Sequence, residues 1–516
     1  MSARCAGILI PLFSLRSPDD FGRGEIGGLA EFGEFALAMG QRVIQLLPID
    51  EARPGESSPY SAMSVLAIDP AYIAAQDLPE LDQETLAAAR AEVRREPFDL
   101  ARLRRVKDEL LSVAFRHFKS EDDGKRRAAF NAFVSANRGW LDDYALFHAL
   151  KEKFGGAEWA QWPKGLSRHN PRAVAQARRA LSDRIEVFKF VQFEAQRQWL
   201  AVRAQLADQG VLLGGDLAFS PARESVEVWA RQELFDLSRS VGAPPDAFSA
   251  NGQRWDLPMP DWARMRVSGF ALIRQRVRAA RERFDYLRID HLVGLFRTYG
   301  YPLGADTAGV FDPSSEAAQR AQGEEILRVI LEEAAPMRII AEDLGVIPPF
   351  VRETLRRLGL PGYKIARWER DWSVPAQPFI SPAKYPAASL VTTGTHDTDT
   401  LAEWWESIGL KERRDFLAGM GIDEASMAVE APLGARTLER ILEALYASPA
   451  ELAIMPIQDL FGWKERINVP GTVGAGNWTW RLPFDPARAL EDPKLRARIA
   501  KIRELAVRTG RFVLPD

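Results

Sequence analysis

Eight short apolar runs, each bounded by turn residues, constrain this chain more than any other feature. They are AGILIPLF at 6–13, RVIQLLPI at 42–49, VLLGGDLAF at 211–219, YLRIDHL at 286–292, RIIAEDLG at 338–345, YKIARW at 363–368, SLVTTGTHD at 389–397 and LAIMPIQDL at 452–460. Stretches with helical periodicity separate most neighbours, as in LRVILEEAA after Ile326 and ERILEALYA after Leu438. Strands that alternate with helices are joined by crossovers and run parallel. Eight such units predict an α/β fold of the (β/α)8 TIM-barrel type, one catalytic barrel over residues 1–516.

Two gaps are too long for single crossovers. Residues 50–205 form an inserted, mainly helical subdomain, since Leu103, Val106, Leu110 and Val113 recur at helical spacing, as do Leu141, Tyr144, Ala145 and His148. Residues 221–282 carry many Pro, Trp and Gly residues and read as a long functional loop. The tail from Asp485 to Arg511 intersperses basic with apolar residues and reads as a solvated surface helix.

Composition narrows the partners. The 68 basic and 71 acidic side chains leave a net charge of −3, too small a field to hold nucleic acid. The single cysteine, Cys5, forms no internal disulfide and no multi-thiolate zinc site, and it suits a reducing compartment. The apolar run at 6–13 is too short to span a bilayer. A cytoplasmic protein without a membrane partner is expected.

Several runs end in an acidic residue: Asp216, Asp290, Glu342 and Asp397. C-terminal strand ends of such a barrel face the active site, so these carboxyl groups converge. Crowded like charges keep one of them protonated near neutral pH while another stays anionic, which supplies an acid and a nucleophile for glycoside chemistry. Arg288 lies on the same strand face as Asp290 and holds it ionised. Of five histidines, His291 and His396 adjoin these acids, where an imidazole can hold a sugar hydroxyl or bond to backbone; His117, His148 and His169 read as structural. Strand-end acids are also common helix caps, and the GGD around Asp216 reads equally as a tight turn with a capping aspartate. Of the loop tryptophans, about two thirds are expected to pack and the rest to face sugar rings.

The motifs RIDH at 288–291, AEDLG at 341–345 and TGTHD at 393–397 resemble signature blocks of the amylomaltase, or 4-alpha-glucanotransferase, family. The resemblance extends through SSPYS at 57–61, WLDDYALF at 140–147, GGDLAF at 214–219, PPDAFSANGQRW at 244–255, PIQDL at 456–460, RINVPG at 466–471 and GNWTWRLP at 476–483. It implies retaining transfer of glucosyl or maltooligosyl units between α-1,4-glucans, with maltooligosaccharides as donors and acceptors and no metal or organic cofactor. Asp290 is implied as nucleophile, Glu342 as acid and base, and Asp397 as transition-state stabiliser. Tyr60, Asp216, Arg288 and His396 match positions around the sugar, and Phe248 and Trp255 lie on the segment resembling the cleft-covering loop. The chain departs from the pattern at Asp256, Leu257 and Thr398, after Tyr60, and at WERDW, 368–372. Other readings are hydrolysis of the same glucans, a noncatalytic glucan-binding protein, and a metal-dependent barrel lyase, for which no well-placed Lys or His base is found.

Overall fold

The computed structural model describes residues 4–120, 123–245, 252–304, 307–423, 429–472, 474 and 476–513. The eight apolar runs each contribute one parallel strand: β1 (Cys5–Leu9), β2 (Val43–Gln45), β3 (Leu212–Leu217), β4 (Tyr286–Ile289), β5 (Arg338–Ala341), β6 (Gly362–Ile365), β7 (Ser389–Thr392) and β8 (Leu452–Pro456). They close in chain order, with β1 hydrogen-bonded to both β2 and β8. Strands covered on both faces need no polar alternation, which is why β1, β4, β7 and β8 are buried along their whole length.

Between β2 and β3 the chain first makes a two-stranded antiparallel sheet, Asp50–Ala52 with Ala62–Ile68, whose connection carries Tyr60 back to the barrel mouth. Long helices follow, Leu100–Ser120, Gly124–Lys153 and Ser182–Asp208. Their shared interior is aromatic, with the Phe118 ring tilted against Phe115 and Phe190 and edge-on to Phe130. The helix Ser182–Asp208 turns directly into β3 and packs on it, so it also serves as a barrel crossover.

The segment 221–282 differs from the loop read in the sequence. It folds as a short helix, Val226–Ala230, a hairpin of Phe235–Ala243 with Gln253–Pro260, and the helices Trp262–Val267 and Ala271–Arg283. The hairpin joins Thr298–Pro302 and Val310–Asp312 in a four-stranded antiparallel sheet. Its prolines suggested a loop, yet Pro258 and Pro260 sit on the edge strand, where a missing N–H donor is tolerated. Gly242 allows the two hairpin strands to approach, since a Cβ there would lie 1.9 Å from the Gln253 carbonyl oxygen.

The C-terminal tail is not simply solvated. Its helix, Pro493–Arg508, buries Ile499, Ile502, Leu505 and Ala506 against the barrel helices. Arg511 is buried beyond it and donates to the carbonyls of Cys5, Tyr446 and Ser448, tying the tail to β1. The interspersed basic residues mark the outer face of an amphipathic helix. Among the described residues no helix is long and apolar enough to cross a membrane.

Candidate active site

The mouth of the barrel is built on one guanidinium. Asp216 in β3 lies directly opposite Arg288 in β4, so their side chains share the interior face. Arg288 Nη1 donates to both Asp216 oxygens at 2.8 Å and to Asp290 Oδ1 at 2.9 Å. Tyr60 donates its hydroxyl proton to Asp216 Oδ2 at 2.7 Å. Asp216 is therefore a buried member of a strand, and the tight-turn reading of GGD does not hold: β3 needs its glycines for packing within a sheet. Burial pushes the Asp216 carboxyl up, with Arg288 opposing. Burial also works against the Arg288 charge, but Asp216 and Asp290 outweigh it and hold the guanidinium firmly protonated.

Asp290 and Glu342 each lie one residue beyond a strand end, on β4 and β5, whose last residues Ile289 and Ala341 are paired in register. Neighbouring strands are about 4.8 Å apart, so the two carboxyl groups arise side by side. Glu342 Oε2 accepts the His291 N–H at 2.8 Å and Oε1 accepts the Leu344 N–H at 3.1 Å. Burial pushes Glu342 up to about 7; Arg288 opposes this and Asp290 reinforces it. Glu342 can thus carry a proton near neutral pH.

Asp397 approaches from the loop after β7, with β6 between it and Glu342. Its Oδ1 accepts from Asn468 Nδ2 at 2.6 Å, its Oδ2 lies 3.2 Å from His396 Nε2, and its main-chain carbonyl accepts from Arg466 at 3.1 Å. Burial works against ionisation, but His396 and the Asn468 hydrogen bond together hold Asp397 down at about 2. Its side chain is 46% exposed and open to a ligand. The His396 ring stacks on Tyr60 at 5.1 Å, and Trp478 packs against both rings.

Seven of the nine sequence-predicted residues, Tyr60, Asp216, Arg288, Asp290, Glu342, His396 and Asp397, meet at this mouth. Trp255 reaches it from the hairpin, packing its ring against His291 at 4.7 Å. Phe248 lies outside the described residues. Asn468, Arg466 and Tyr363, whose ring lies under Arg288 at 5.8 Å, were not singled out from the sequence. The first two stand in the quoted RINVPG block, but nothing in their spacing ties them to Asp397, 71 positions away for Asn468.

The family model described as 4-alpha-glucanotransferase matches residues 10–486. The chain belongs to the 4-alpha-glucanotransferase family. Curated 4-alpha-glucanotransferases similar to it include those of Thermus thermophilus, 34% identical with 93% of this chain and 95% of that protein covered, and Synechocystis, 33% identical with 94% and 95% covered. The structure of amylomaltase from Streptococcus agalactiae in complex with acarbose superimposes with a TM-score of 0.85 at 27% identity, covering 99% of this chain and all of that one. Amylomaltase from Corynebacterium glutamicum shares the fold, with a TM-score of 0.78 at 22% identity over 97% of this chain and 75% of that one.

Against this family background the departures have local structural roles. The Thr398 hydroxyl accepts the Thr395 N–H at 3.0 Å and donates to the Thr395 carbonyl at 3.1 Å, closing the turn that carries Asp397. Asp256 adopts a left-handed backbone, φ 54°, within 4.0 Å of Arg223, and Leu257 packs on the core. In the 368–372 segment Arg370 stacks over Phe379 and pairs with Glu412, leaving Trp372 65% exposed.

Proposed function

We propose that the protein transfers glucosyl or maltooligosyl units between α-1,4-glucans with retention, by double displacement through a glycosyl enzyme. The observation that carries this reading is the pairing of β4 and β5 in register, which sets Asp290 and Glu342 on neighbouring strand ends, with burial raising Glu342 to about 7. Retention needs carboxyl groups about 5–5.5 Å apart, whereas inversion leaves roughly 6.5–9.5 Å for a water molecule. Adjacent strands suit the shorter distance.

In the first step Glu342 gives its proton to the glycosidic oxygen while Asp290, aimed by Arg288, attacks the anomeric carbon. The bond to the leaving glucan breaks and an ester to Asp290 forms. Asp397, held anionic, stabilises the positive charge that develops on the sugar. In the second step Glu342, now a carboxylate, takes the proton from an acceptor hydroxyl, which displaces Asp290 and restores it.

Tyr60, Asp216, Arg288 and His396 hold the sugar at the cleavage point in this reading, while Trp255, on the strand Gln253–Pro260, covers the cleft and excludes water, a role the sequence resemblance extends to Phe248. The helical insertion of residues 50–205 supplies Tyr60 to the same mouth. Donors and acceptors are maltose, maltooligosaccharides and longer glucans such as glycogen. The lone, buried Cys5 fits the reducing cytoplasm.

Incubation with maltotriose tests the proposal. Transfer yields glucose together with oligosaccharides longer than the substrate. Shortening alone would identify a hydrolase, and binding without turnover a glucan-binding protein.

A further inference from the structure

His291 stands directly after Asp290, and its role is not accounted for by sugar binding. Its backbone is left-handed, with φ 45°, a conformation that costs a residue with a Cβ and that histidine tolerates better than most. Among the described residues its ring makes no hydrogen bond; it is wedged edge-on between Phe219, at 5.4 Å and 90°, and Trp255, at 4.7 Å and 87°. The third wall is Gly294, where a Cβ would lie 2.7 Å from the imidazole. The surroundings therefore fix the ring, and the ring fixes an unfavourable backbone. Strain that persists at such a place is held by packing and commonly serves function.

The strain has one visible product: the His291 N–H points at Glu342 Oε2, 2.8 Å away, while Leu344 serves the other oxygen. We infer that His291 is a positioning residue, whose left-handed backbone, locked by Phe219, Trp255 and Gly294, aims the acid–base carboxyl Glu342 and couples it to the hairpin that carries Trp255. The inference rests on the glycosyl-transfer reading of Glu342.

Charge around the pair is defined. Glu342 faces Arg288 and Asp290 from β4 and Tyr363 from β6, with Asp343 beside it, and His291 faces Asp290 and Arg297. Burial lowers the imidazole to about 4, so it is neutral at working pH and contributes no cation to Glu342. What it contributes is the N–H, which favours the ionised carboxylate; loss of that bond raises the pH at which Glu342 gives up its proton.

The test separates backbone from ring. His291→Gly and His291→Ala remove the same ring and differ in one Cβ, and only Gly enters the left-handed region freely. His291→Asn keeps a side chain that tolerates it. The pH profile of kcat/KM on maltotriose is measured for all three, with circular dichroism confirming the fold. The Asn and Gly variants should retain the alkaline limb of the parent enzyme, whereas Ala should move it upward by roughly half to one pH unit and fall about tenfold below Gly in kcat. Ala and Gly variants with the same limb and the same rate would overturn the inference while leaving transfer intact, and so would a shift common to all three. A parent enzyme that forms no products longer than maltotriose would instead overturn the reading of the site on which it rests.

Discussion

The helical insertion and the barrel mouth both bury carboxylates, and they treat them differently. In the helical insertion Arg126 bridges Glu80 and Glu194, Arg197 adds a second contact to Glu194 at 2.8 Å, and Arg104 grips Asp69 with two hydrogen bonds at 2.7 and 3.1 Å. Three carboxylates meet three guanidiniums. At the barrel mouth four carboxyl groups converge and Arg288 contacts only two, Asp216 and Asp290. Neutralised charge fixes helices in place, whereas charge left partly unmatched in a pocket must settle through protonation. The mouth accordingly spreads its acids apart, with Glu342 near 7 and Asp397 near 2.

The sharpest way to break this contrast is to remove a charge from each region. Asp290→Asn should lower kcat for maltotriose transfer by roughly 10⁴-fold or more with the melting temperature little changed. Steady-state assay with calorimetry checks both halves. Arg126→Met should do the reverse, leaving two buried carboxylates without their shared partner: a loss of about 3–5 kcal/mol in urea unfolding, with kcat per folded molecule retained. An activity defect from Arg126→Met as large as its stability defect would remove the distinction between the regions.

Smaller changes sharpen it. Asn468→Ala removes a hydrogen bond that favours ionised Asp397, so kcat should fall about ten- to a hundredfold and the acidic limb of the pH profile should move upward. The mildest effect concerns stability. A carboxyl whose folded-state value is raised binds its proton more tightly in the native state, so the parent enzyme loses stability as pH rises from about 4.3, the unfolded value, to about 7. Glu342→Gln escapes that loss. Its melting temperature relative to the parent should climb across this window and stay level above it.

What the sequence reveals follows from how far each signal reaches. All eight barrel strands are legible because two-faced burial makes them continuous apolar runs, and the strand-end acids are legible because a parallel barrel sends every C-terminal end to one mouth. The antiparallel pair Phe235–Ala243 and Gln253–Pro260 escapes because an edge strand tolerates Pro258 and Pro260, which locally read as breakers. The tail is legible as a helix, but its buried face is not, because the apolar stripe of Ile499, Ile502, Leu505 and Ala506 is narrow among arginines. Asn468 and Arg466 escape for a different reason: from the segment after β8 they act on the loop after β7 that carries Asp397, and no local periodicity encodes a partner in space. The strained backbone of His291 is equally silent, since RIDH contains no residue that demands a positive φ.

The account turns on Asp290 forming a bond to the sugar while Glu342 manages the proton. Glu342→Gln incubated with α-maltotriosyl fluoride, whose leaving group needs no acid, isolates that step because the missing base stalls release of the intermediate. Intact-protein and peptide mass spectrometry should find one maltotriosyl unit per chain, attached to the peptide containing Asp290 and absent when Asp290 is also changed to Asn. Steady formation of products with inverted anomeric configuration and no adduct, or an adduct on Asp216 or Asp397, would contradict it.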